Sequence, residues 1–274
     1  MAKKSSDKTP TISKVVTFKA SLENIDMLAD FVKEFSILDD VLFVECLMDG
    51  GLQAKYMDTN ASTMRYNKIS DEIFKFEEPL EKRIGIGFYN LKKILGIFEL
   101  LGKEKNISIE FECSEPRVKN FTDAYEAHSI LIKSENFKLI KIPLANSSLI
   151  TYVGDEKIDN LLDPSEYFTK LKFDDNFIKK VKGIVKLDES LEFVKIIGDV
   201  KSQVITFNFQ DEYEITINTD VEIVSDFVGT FETEFIKKIK NQDYEMFIDD
   251  VKLLLISDKD DVLYAFTMIE DTND

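Results

Sequence analysis

The chain is poor in the groups from which catalytic and metal centres are usually built: one histidine, two cysteines and ten glycines in 274 residues. With His128 alone, no second imidazole is available for a relay. No Ser-His-Asp or Cys-His set can be assembled around it, and its strand-like surroundings give it a structural reading. Cys46 and Cys113 lie far apart in strand-like runs. They form no disulfide framework, and no Cys-x-x-Cys pair or Cys/His cluster exists to hold zinc, so a reducing, cytoplasmic setting is expected. A Walker-type phosphate loop is missing. Gly85-Ile86-Gly87 lacks the third glycine and the acidic follow-up of a dinucleotide site, and reads as strand geometry. The opening MAKKSSDKTPTI has lysines but no apolar core of a secretory signal, and no apolar run reaches membrane-spanning length. Acid pairs at Asp39-Asp40, Asp174-Asp175, Asp249-Asp250 and Asp260-Asp261 could bind a divalent cation, but in so acidic a chain they read as solvated turns. Neither a metal nor a cofactor is expected, and the chain reads as a non-enzyme.

Acid is what the chain has in excess: 52 Asp and Glu against 35 Lys and Arg, a formal charge of -17. Taken globally, that repels a polyanion. The distribution matters more than the total. Only Arg65, Arg83 and Arg117 are arginines, so the basic set is almost all lysine. Lysine is a mobile point charge, suited to loose phosphate contact rather than to base reading.

Short runs of alternating or continuous apolar residues dominate and predict strands. They include Val15–Ala20, Val41–Leu47, Leu52–Met57, Ile107–Cys113, Lys138–Ile142, Phe193–Ile197, Val204–Phe209 and Val262–Ile269. Four segments switch to a helical period: about Leu22–Phe35, with Ser21 as a possible cap, then Leu91–Leu101, Asn176–Leu187 and Glu232–Lys240. The order strand, helix, strands, helix, strands therefore occurs twice. The spacing predicts an α+β protein of two similar domains, each with two helices packed on antiparallel sheets. A tail covers 1–12, the first domain 13–142 and the second 165–274. Between them PLANSSLITYVGDEKIDNLLDP (143–164), with a proline at each end, reads as an interdomain connector.

A lysine pair recurs on the helices. Leu91-Lys92-Lys93-Ile94, Ile178-Lys179-Lys180-Val181 and Ile236-Lys237-Lys238-Ile239 each hold two lysines between apolar core positions. Lys179, Lys182 and Lys186 share one face at i, i+3 and i+7. Amphipathic helices accept lysine readily, so a solvated face is one reading. A positive surface for a nucleic-acid backbone is the other. The first helix departs from the pattern, with Glu23, Asp26, Asp30 and Glu34 against Lys33.

This layout resembles the DNA sliding clamps, the processivity factors of replicative polymerases, and most of all the trimeric clamps of tailed bacteriophages. Residues 76–101, FEEPLEKRIGIGFYNLKKILGIFELL, look like the stretch where a clamp's first domain enters its second helix. VKLLLIS followed by VLYAFTMIED is similar to a clamp's closing hairpin. The resemblance spans 13–271. It implies a homotrimeric ring around double-stranded DNA, bound without regard to sequence, with a polymerase and a clamp loader as partners, no membrane, and a host cytoplasm if phage-encoded. Inner-wall residues carried over are Lys92, Lys93, Lys179, Lys180, Lys182, Lys186, Lys237, Lys238 and Lys240. The partner pocket carried over comprises Leu149, Ile150, Tyr152 and Val153 in the connector, Leu52, and Tyr264 and Phe266 near the C-terminus. Residues that merely pin the connector would look the same. Two other classes stay open: an acidic binding or DNA-mimic protein, and a metal-dependent nuclease built on the acid pairs.

Overall fold

The computed structural model describes residues 15–114, 124–146, 149–151, 153–162, 164, 166–218, 221–257 and 262–269. The expected tail at 1–12, Tyr152 and the acid pair at 260–261 lie outside them. The first half runs β1 (Val16–Leu22), α1 (Ile25–Phe35), β2 (Val41–Cys46), β3 (Leu52–Met57), β4 (Thr63–Ile69), β5 (Phe74–Phe76), β6 (Arg83–Tyr89), α2 (Leu91–Leu101), β7 (Ser108–Ser114), β8 (Ala124–Lys133), β9 (Ile140–Pro143). A helix within the connector, α3 (Asp155–Leu162), follows. The second half runs β10 (Thr169–Phe173), α4 (Asp175–Leu187), β11 (Phe193–Asp199), β12 (Val204–Phe209), β13 (Tyr213–Ile217), β14 (Val221–Ile223), β15 (Phe227–Glu232), α5 (Glu234–Lys238), β16 (Tyr244–Ile248), β17 (Lys252–Ser257), β18 (Val262–Thr267). The α+β class, with two helices on antiparallel sheet in each half, is the observed one.

The halves repeat in pairing as well as in order. β1 pairs with β5 and β7 as β10 pairs with β14 and β16. The β7–β8–β9 ladder recurs as β16–β17–β18. The β6–β2–β3–β4 ladder recurs as β15–β11–β12–β13. One pair breaks the repeat and the expectation of purely antiparallel sheets: β6 and β8 run parallel. In the second half the chain beyond β18 fills the matching seam, the Met268 amide donating to the Val251 carbonyl and the Ile269 amide to Thr230. β18 crosses to pair with β4, which joins the halves into one 14-stranded sheet.

Each half has its own core, because each helix presents one apolar stripe. α1 buries Leu28, Phe31, Val32 and Phe35, and α2 buries Leu91, Ile94, Phe98 and Leu101. α4 buries Ile178, Val181 and Val185, and α5 buries Phe235 and Ile236. The first helix begins later than its periodicity suggests: Asn24, not Ser21, caps it, its carboxamide oxygen accepting from the Met27 amide at 3.0 Å. Ser21 is still paired in β1.

Strand alternation fixes which side faces what. At the join, Arg65 and Asn67 of β4 and Tyr264 and Phe266 of β18 point to the side carrying α1 and α5. Met64, Tyr66, Leu263 and Ala265 point to the opposite side, where Val153 and Ile158 of the connector cover them. Both faces are therefore covered, which is why β17 and β18 read as continuous apolar runs.

Candidate nucleic-acid interface and docking groove

The helices α1, α2, α4 and α5 carry nine lysines against six acids. The helix layer is thus locally positive on a chain of -17. Lys92 and Lys93 stand exposed in the first turn of α2, and Lys180 and Lys186 on α4. Among the described residues these four form no ion pair. Lys179 is paired with Asp175 one turn back, and Lys237 with Glu234 at 2.9 Å, which holds its ammonium above the usual lysine range. Lys238 is partly exposed at the end of α5. Lys182 behaves differently. It is half-buried, donates to the Ile239 carbonyl just past α5, and has its pKa lowered by burial and then by the neighbouring Lys186 charge. It holds α4 to α5 instead of standing in solvent with Lys179 and Lys186.

Lys240, although exposed, is also tied to the protein. Its ammonium lies 2.9 Å from Glu34, and Glu34 is the hub of the joint between halves. The Glu34 carboxylate pairs with the Arg65 guanidinium and accepts from Asn67 at 3.1 Å, while its main-chain carbonyl accepts from Arg65 at 2.6 Å. Arg65 is 1% exposed and lies between the rings of Phe35 and Tyr264, 4.6 and 4.9 Å from their centroids. This explains part of the acidity of the first helix: Glu34 is a structural counter-ion, whereas Asp26 and Asp30 remain exposed.

Over the opposite face, the connector helix α3 is pinned at its start. Asp155 pairs with Lys55, and with Arg83 at 3.0 Å; Lys55 pairs with Glu45 at 3.0 Å, and Gln53 donates to Glu45 at 2.7 Å. Lys55 and Glu45 are almost fully buried. Burial alone would raise the Asp155 pKa, but the Lys55 hydrogen bond and charge, with Arg83, outweigh it and hold the carboxyl below its ordinary value. A folded pKa that is depressed contributes stability above the unfolded value, about 4, and loses it as pH falls through the folded value. Amide exchange across 154–162, corrected for intrinsic rate, is therefore expected to lose protection below about pH 4. In Asp155→Asn that pH dependence should vanish; an unchanged profile would remove the pin.

The other end of α3 lines an open cavity of about 800 Å³. Asn160, Leu161, Pro164, Tyr167, Phe168 and Val224 form one part of its wall, and Glu166, Asp249, Asp250 and Lys252 supply charge. The expected partner residues do not gather here. Leu149 is 80% exposed. Ile150 packs on Phe43 and Ala124, and Val153 is buried against the outer face of the join, pinning the connector to the sheet. Leu52, Tyr264 and Phe266 are core residues facing the helix side, 0 to 3% exposed, so no partner can reach them in this fold.

No protein-family model matches the chain, and no curated protein matches it. Its fold does match a solved structure, that of the proliferating cellular nuclear antigen of Entamoeba histolytica, with a TM-score of 0.61 over 92% of this chain and 98% of that one, at 15% identity. The fold is that of a sliding clamp.

On this clamp fold the acid pairs have local duties. Asp40 accepts from the Leu91 amide at 2.8 Å, Asp174 caps α4 through the Phe177 amide at 2.9 Å, and Asp249 shapes the turn before β17. Among the described residues no cluster of His, Cys, Asp or Glu could hold a metal ion, and no helix is long and apolar enough to cross a membrane. His128 is exposed, with its Nε2 2.6 Å from the Ser114 hydroxyl. Sequence reasoning missed the cavity wall. The signal that could have found it is the Leu-Leu-Asp-Pro-Ser-Glu-Tyr-Phe stretch, 161–168, where an apolar pair and an aromatic pair flank a proline.

Proposed function

We propose that this protein is a non-enzymatic DNA sliding clamp of the cytoplasm, whose copies close into a ring around duplex DNA and tether a replicative polymerase. One observation carries this reading. Inside the chain, the last strand of the second half pairs with the fourth strand of the first, β18 with β4. Their counterparts, β9 and β13, each have one described partner, β8 and β12, and one edge left over. Joining β9 of one copy to β13 of the next repeats the internal join head to tail, and such a contact closes a ring. The resemblance sets the number at three, because two repeats per chain then give six around the ring. The boundaries 13–142, 143–164 and 165–274 define the two clamp-type domains and their connector. Kinship with the phage clamps rests on the sequence resemblance.

In the ring, α1, α2, α4 and α5 line the hole. Lys92, Lys93, Lys179, Lys180, Lys186, Lys237 and Lys238 meet phosphates, with Lys182 and Lys240 supporting from behind. Contact through counterion release and without base reading leaves the ring free to slide. The cavity beside Leu161 and Tyr167 is the surface for polymerase and loader, and its acidic rim suits an apolar segment flanked by basic residues. Leu149 and Ile150 lie before the start of α3, at the opposite end of that helix from the cavity, and extend the proposed surface along the connector, where Tyr152 belongs to the same run.

Threading tests the reading. On linear duplex whose ends are blocked after mixing, the protein is expected to survive a high-salt wash. On duplex blocked before mixing it should wash away. Loss from both would favour the DNA-mimic class, and equal salt-sensitive binding to both would mean an open binder. DNA cleavage with Mg²⁺ would mean a nuclease.

A further inference from the structure

The internal join and the free edges differ in one respect. The outer face of the internal join is apolar: Met64 and Tyr66 of β4 lie against Leu263 and Ala265 of β18, under α3. β6 and β15 both end one residue before a helix cap, Asn90 and Thr233. The ladders built on them can therefore be counted against each other. Val44 pairs with Ala54 and Ala54 with Asn67, as Ile196 pairs with Phe207 and Phe207 with Ile215. This count puts Glu212 where β4 has Met64, and Glu214 where it has Tyr66. Both glutamates are exposed, while Tyr213, Ile215 and Ile217 turn to the core. β9 is the reverse. Ile140 and Ile142 turn to the core, and Lys141 is the exposed outer-face charge. Among the described residues Lys141 pairs with one carboxylate, Glu112 at 3.3 Å, and that pair is itself open to solvent.

Resting on the ring reading, we propose that the joint between copies is ionic. Lys141 of β9 faces Glu214 of β13 and Glu212, the turn residue just before that strand, in the next copy, where the internal join uses packed apolar side chains. This charge arrangement gives the assembly its direction. A β13–β13 contact would oppose glutamates, and a β9–β9 contact would oppose lysines, so only the head-to-tail pairing is favourable. It also makes the joint salt-labile, whereas the buried Arg65–Glu34 joint inside the chain is shielded from salt.

Charge swapping on the full chain, read by light scattering and sedimentation, tests this. Wild type should assemble at low salt and dissociate at lower protein dilution as salt rises. Lys141→Glu, and separately Glu212→Lys with Glu214→Lys, should each raise the midpoint for dissociation about tenfold or more. The chain carrying all three changes should recover assembly. Wild-type assembly that the single-sided variants leave intact overturns the ionic joint while leaving the clamp reading standing. Single-sided losses that the combined chain does not recover also overturn it. Full charge-swap behaviour with no DNA threading supports the joint and removes the clamp. A wild type that is monomeric at every salt concentration overturns both.

Discussion

Glu34→Ala is expected to cost about 3–5 kcal/mol of folding stability, the usual range when one member of a buried ion pair is removed and its partner is left behind. The cost comes from what remains. Arg65 is 1% exposed, and among the described residues Glu34 is its only carboxylate. Without it, a guanidinium stays buried between Phe35 and Tyr264, with one bond to a main-chain carbonyl. Asn67 loses its acceptor, and Lys240 loses a charge 2.9 Å away. Denaturant unfolding reads the effect directly. Replacing both charges with apolar residues, Glu34→Leu with Arg65→Met, should recover most of it, because a packed apolar pair avoids the desolvation cost of an ion pair. A Glu34→Ala protein within about 1 kcal/mol of wild type would show that the joint is held by packing alone.

The joint also has a geometric role. β4 and β18 share a ladder within the 14-stranded sheet, and side chains from α1 and from the segment after α5 brace that ladder on one face. α1 contributes Glu34 and Phe35, and the segment after α5 contributes Lys240, whose amide donates to the Tyr264 hydroxyl at 3.2 Å. The brace therefore ties a helix of one half to the last strand and the segment after α5 of the other.

The architecture was legible because each half repeats a simple pattern: apolar period two in strands, apolar period near 3.6 in four helices. Leu91–Leu101 came out with the bounds its periodicity predicts. Asn176–Leu187 came within a residue of its observed start, Asp175. α3 was not legible. Its eight residues carry four charges and only three apolar side chains, and the helix is held by docking rather than by its own stripe. The lysine pairs were legible as pairs, but their surroundings were not. Lys182 and Lys179 sit three apart on one face, yet one packs under α5 and the other stands exposed. Local spacing cannot foresee which part of a face a neighbouring helix will cover. The same limit misplaced Tyr264 and Phe266. Their alternation showed that they face one side together, not that this side is the core.

Reversing Lys92, Lys93, Lys180 and Lys186 to Glu should have the largest effect on DNA contact. These four are exposed and form no ion pair among the described residues, so their charge is available to phosphate. Each phosphate contact removed lowers the log–log salt dependence of binding to duplex by about 0.9. Four together should therefore cut the slope by about 3 to 4 and weaken binding by a factor of roughly 10³ or more near physiological salt. Their side chains lie on the solvent side of α2 and α4, away from Leu91, Ile94, Ile178 and Val181, so folding should change little. Lys182→Ala makes the contrast. It removes a half-buried donor to the Ile239 carbonyl, so it should lower stability while leaving the salt slope nearly intact. The decisive measurement is duplex affinity against salt for both variants, with assembly checked by light scattering in parallel. An unchanged slope in the four-lysine variant, with assembly intact, would move the DNA-facing surface off these helices.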